Sequence, residues 1–92
     1  MIVRIATEGQ YELDPDAISR LQELDNEAVA ACESGDEAHF RGVYDRLLGE
    51  IRAAGRRLAE DELSESDVIF PPPDVSLAEA KAGFGDEGLI PG

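Results

Sequence analysis

The chain has 92 residues, 21 acids against 8 bases, a formal net charge of −13 and a pI near 4.2. That length holds one small domain, expected over residues 1–92, and so negative a balance disfavours nucleic acid and anionic lipid as direct partners. Val, Ile, Leu and Phe fill 23 positions, enough to fold, yet no apolar run approaches the ~18 residues of a membrane span.

Residues 1–13 read as a β-hairpin. Val3, Ile5, Tyr11 and Leu13 are apolar, and Arg4, Gln10 and Glu12 alternate with them. A loop of Thr7, Glu8 and Gly9 pairs Ile5 with Tyr11, Val3 with Leu13 and Arg4 with Glu12. It keeps the apolar side chains on one face and gives Gly9 the positive-φ place in the turn. Asp14-Pro15 is a helix start, an N-cap acid followed by proline in the first turn. Ile18, Leu21, Leu24, Asp25, Ala28, Val29 and Cys32 then recur at helical spacing to about residue 33. Ser34-Gly35-Asp36 closes this helix and caps the next, over about 37–54, whose stripe is Phe40, Val43, Tyr44, Leu47, Leu48, Ile51 and Ala54. So short a connection makes the two helices antiparallel neighbours. Gly55 is the expected stop, with Arg56-Arg57-Leu58 as a further helical extension.

Beyond residue 59 the chain becomes acidic and extended. Glu60-Asp61-Glu62 reads as a loop, Val68-Ile69-Phe70 as a short third strand, and Pro71-Pro72-Pro73 as polyproline II. Ser76 and Glu79 form a capping box that opens a short helix to about residue 82. Gly83, Gly85 and Gly88 break the chain after this helix, and Leu89-Ile90 stand near the end. The expected fold class is α+β. An N-terminal β-hairpin (1–13) packs on an antiparallel αα-hairpin (15–59), with a Pro-rich extended segment, short helix and tail after it (60–92).

The charge is uneven. Residues 1–35 carry 8 acids and 2 bases, residues 36–59 carry 4 and 5, and residues 60–92 carry 9 and 1. The second helix therefore holds the one basic cluster: Arg41, Arg46, Arg52, Arg56 and Arg57. These arginines read either as a solvated face with local pairs, Glu37–Arg41 among them, or as a face for an acidic partner or the chain's own acidic tail. The proline triplet reads either as a ligand for an aromatic groove or as a stiff spacer laid over the domain. Phe70, Phe84, Leu89 and Ile90 either cover the core or anchor a partner.

Chemistry is sparse. His39 is the one histidine, placed in a helix's first turn, and Cys32 is the one cysteine, on the apolar stripe. Together they are too few for a zinc site, and no serine lies in a nucleophile elbow. No phosphate-binding glycine loop or EF-hand pattern occurs. Neither an enzyme nor a metal or other cofactor is expected. A lone cysteine and the absence of a signal-peptide pattern at Met1-Ile2-Val3-Arg4 make the cytoplasm the expected compartment.

Three stretches carry a resemblance. They are Met1-Ile2-Val3-Arg4-Ile5 with Gly9-Gln10-Tyr11-Glu12, then Ser66-Asp67-Val68-Ile69-Phe70-Pro71-Pro72-Pro73-Asp74, and the ending Gly85-Asp86-Glu87-Gly88-Leu89-Ile90-Pro91-Gly92. In that order they resemble the PspA-associated (PspAA) family, with the helical middle similar in pattern only. The resemblance implies a small, non-enzymatic bacterial or archaeal partner of PspA, the coiled-coil, membrane-remodelling protein of the phage-shock envelope-stress response. It brings no catalytic residues with it. The expected function is an adaptor that binds a PspA-like coiled coil, with Arg41, Arg52, Arg56, Phe70, Pro72, Leu89 and Ile90 as its partner-binding residues. Two other classes stand beside it. One is a self-assembling module that dimerises through the open edge of the N-terminal strand. The other, disfavoured by charge, is a helix pair that regulates transcription.

Overall fold

The computed structural model describes residues 1–62, 64–84 and 88–90. Its elements in chain order are β1 (Ile2–Ile5), β2 (Gly9–Glu12), α1 (Pro15–Ser34), α2 (Glu37–Ala54), β3 (Arg56–Arg57), a 3₁₀ turn (Glu60–Glu62), β4 (Val68–Phe70) and α3 (Leu77–Phe84). The fold is α+β, as expected: a β-hairpin, two packed antiparallel helices and a short third helix. The expected break at Gly85 lies outside the described residues.

Local signals place the helices. Asp14 caps α1 by accepting from Ala17 N at 2.8 Å, with Pro15 in the first turn. Gly35 ends α1 at φ 73°, and its N–H reaches Cys32 O. Asp36 caps α2 by accepting from His39 N at 3.0 Å. In the capping box of α3, Glu79 N donates to Ser76 Oγ at 3.2 Å and Ser76 N donates back to Glu79 Oε1 at 3.3 Å.

The sheet order is β3-β2-β1-β4. β1 runs antiparallel to β2 and parallel to β4, whose Val68, Ile69 and Phe70 face Val3, Arg4 and Ile5. Three expectations change here. The hairpin register is Val3↔Tyr11, Arg4↔Gln10 and Ile5↔Gly9, so the loop is Ala6-Thr7-Glu8 rather than Thr7-Glu8-Gly9. Thr7 takes the left-handed turn position, φ 70°, while Glu8 N donates to Ile5 O at 2.9 Å. The slip is by two residues, so each side chain keeps its face, and Val3, Ile5, Tyr11 and Leu13 are all buried as expected. Second, the N-terminal strand is not an edge. β4 fills its far side, so the expected dimer through that strand has no open ladder to use. Likewise Arg56-Arg57 forms β3 against Glu12 and Tyr11 instead of prolonging α2.

One face of the sheet joins the helices in a core of Phe40, Val43, Tyr44, Leu47, Leu48 and Ile51 from α2, with Leu21, Ala28, Val29 and Cys32 from α1. Phe40 and Tyr44 stack at 5.4 Å, and Phe84 of α3 meets both edge-on at about 6 Å. On the outer face Gln10 is buried beneath the 64–66 segment. Its Nε2 donates to Ser64 O and Ser66 Oγ, and its Oε1 accepts from Ser64 N. A polar residue expected to face water is thus enclosed and fully bonded.

Candidate functional site

The seven residues expected to meet a partner fall into three groups. Phe70 and Ile90 are buried in the core and serve its packing. Pro72 is half-buried, in a shallow surface hollow with Thr7, Pro73, Asp74, Val75 and Glu79. Leu89 is half-buried against the core and keeps part of its surface outside.

The arginines are committed within the chain. Arg52 forks onto Glu8, with Nε to Oε1 at 2.8 Å and Nη2 to Oε2 at 3.2 Å. Arg56 lies 3.0 Å from Glu62 and 3.5 Å from Glu12. Arg46 meets Glu27 at 3.4 Å, and Arg20 of α1 meets Glu50 of α2 at 3.0 Å. The basic helix is therefore covered by acids from the hairpin turn, α1 and the 3₁₀ turn. Pairs this exposed add little stability individually. They do, however, remove the free positive face that the charge of residues 36–59 suggests.

Arg41 does something different. Its guanidinium donates from Nη1 to Pro73 O and from Nη2 to Val75 O, and lies 5.8 Å over the Phe40 ring. Its ion partner is Asp45, at 3.9 Å, in place of the expected Glu37, because the fork is turned along α2 toward the extended segment. Beside it, the buried Tyr44 hydroxyl donates to Pro71 O. Burial pushes that hydroxyl's pKa well above its usual range, against the opposing pull of Arg41 and Arg52. Proline supplies no N–H, so a proline run offers a neighbour only carbonyls. Arg41 and Tyr44 are the donors that match. The triplet is thus held along α2 by its own domain, in the manner of a docked spacer.

Asp25 stands in the apolar stripe of α1, where the sequence suggests no role for it, and the structure gives it one. Only 1% exposed, it accepts from Leu89 N at 3.1 Å and from Ile90 N at 3.1 Å, across 64 and 65 residues of sequence. A carboxylate at a stripe position is the available signal. Its partners are main-chain groups, which carry no signature of their own. Burial raises its pKa above the ordinary value, and the two N–H bonds pull the other way. The sign follows from linkage. Between the ordinary and the raised pKa, the folded protein holds a proton that the unfolded chain has released. Asp25's contribution to stability therefore falls as pH rises through that interval and is level above it. Asp25→Asn is expected to remove this slope, as urea titrations of both proteins from acid to neutral pH will show.

His39 is exposed at the start of α2. Cys32 is buried, and burial lifts its thiol pKa against the opposing charge of Lys81. No cluster of metal-ligating side chains occurs among the described residues, and no described helix is long and apolar enough to cross a membrane.

The model of the PspAA family, described as PspA-Associated protein, matches residues 1–92. Comparisons with curated proteins and with solved structures each gave no significant match.

Proposed function

The chain belongs to the PspA-associated family, and from that premise we propose that it is a non-enzymatic adaptor for a PspA-like coiled-coil protein. In this reading it acts in the cytoplasm by protein–protein binding and reaches the membrane only through its partner. The observation that carries the reading is the family match along the full sequence given. The inventory of side chains supports it: His39 is solvated, Cys32 is enclosed, and the Ser76 hydroxyl on Glu79 belongs to the capping box of α3. The docking surface is drawn from the members of the expected set that keep some surface outside: half-buried Pro72 and Leu89, with Arg52 and Arg56 exchanging their acids in the chain, Glu8, Glu12 and Glu62, for those of the partner. In this reading Glu23 and Glu33, exposed acids of α1, add negative charge for basic positions of a coiled coil.

Calorimetry with purified cognate PspA tests it. A saturable heat at low salt that weakens as salt rises is the expected result. No binding at low salt by folded protein overturns the reading.

A further inference from the structure

Where α1 meets the end of α3, a buried carboxylate is satisfied by main chain. Gly88 N donates to Phe84 O at 3.0 Å, which turns the chain off the end of α3. The next two N–H groups then point at Asp25: Leu89 N donates to both oxygens, at 3.1 Å from Oδ1 and 3.2 Å from Oδ2, and Ile90 N donates to Oδ2 at 3.1 Å. Ile90 is 4% exposed in the core, and Leu89 packs partly against it.

Each position of this segment is selected. Residue 88 must be glycine: its φ is 81°, and a Cβ there would run into the Asp25 carboxylate at Oδ2. Residues 89 and 90 must each supply an N–H, so neither can be proline. Both bury aliphatic surface. Main-chain bonds supply affinity here and apolar side chains supply selectivity, a division of labour common in peptide recognition. Release also costs less than burial of two aliphatic side chains implies, because an undocked Asp25 regains its hydration.

We propose that this is a binding site for a turned Gly-aliphatic-aliphatic segment. It is filled in cis by residues 88–90, and its partner in trans is the same segment of a second copy of the chain. The contacts are identical in the two arrangements, so exchange needs no new surface. The site does not depend on PspA, and its test contains only this chain.

Full-length Gly88→Ala loses its own docked segment but keeps Asp25. A synthetic peptide of residues 83–92 is expected to bind it, and to bind wild type at least about tenfold more weakly, because the cis segment competes at an effective concentration on the order of millimolar. The same peptide carrying Gly88→Ala is expected not to bind. Ile90→Asp, which expels the segment by burying a charge, is a second host should the first not fold. Asp25→Ala removes both acceptor oxygens, which spoils the site and leaves the segment intact. Mixed with Gly88→Ala, it is expected to form a heterodimer by light scattering, each chain alone being monomeric. Absence of peptide binding to both hosts overturns the site. Peptide binding with only monomers in the mixture overturns the second copy as partner.

Discussion

Phe70→Ala is expected to remove about 3–5 kcal/mol of folding stability. The ring is fully buried in the middle of the core. Its strand is also the piece that closes the far side of β1: Phe70 faces Ile5, and Phe70 O accepts from Ala6 N at 2.9 Å. Small domains hold about 5–15 kcal/mol in all, so much of the total goes with one side chain. Differential scanning calorimetry checks it, with a fall in Tm of more than about 12 °C. The neighbouring Ile69 is 59% exposed, and Ile69→Ala is expected to stay within about 0.5 kcal/mol. The contrast bears on how binding is assayed. A Phe70 variant that fails to bind PspA reports on stability rather than on contact, so Arg56 and Leu89 are the informative positions.

Arg41→Ala is the second large effect, about 2–4 kcal/mol. Two charge-assisted bonds to carbonyls are each worth about 1.5–3 kcal/mol when buried, and the sum is reduced because the side chain is 37% exposed. Arg41→Lys is expected to recover less than half of the loss. An ammonium lacks the planar fork that meets Pro73 O and Val75 O together, and it sits less well over Phe40. Urea unfolding of the three proteins gives the comparison. The proline segment is also expected to become more open to proteolysis in both variants.

The helices are legible in the sequence because their signals are local. Asp14-Pro15, Ser34-Gly35-Asp36 and the Ser76–Glu79 pair each act within four residues, and each caps the helix end it marks. The apolar faces are legible too, and they survive even where the hairpin register does not. Gly9 takes a positive φ as expected, 146°, but as the first residue of β2; the register is missed because Thr7 holds the left-handed place in the loop at φ 70°, where glycine is the default residue. The parallel pairing of β4 has no local mark, since it depends on residues more than 60 positions away. The site residues divide along the same line. Periodicity marks Phe70 as apolar but not its burial beside β1. The arginines are visible as a cluster, but their partners, Glu8, Glu62 and the Pro73 and Val75 carbonyls, come from distant turns.

The placement of β4 beside β1 also sets an order of events as the chain is made. α1 and α2 carry their own caps and lie next to each other, so they can pair while synthesis continues. β1 must wait for residues 68–70 to complete its ladder. At about 5–20 residues per second, it stands with one bare flank for several seconds. A nascent chain of this family is therefore most open to wrong strand pairing early, and the proline run next to β4 arrives together with the strand that ends the exposure.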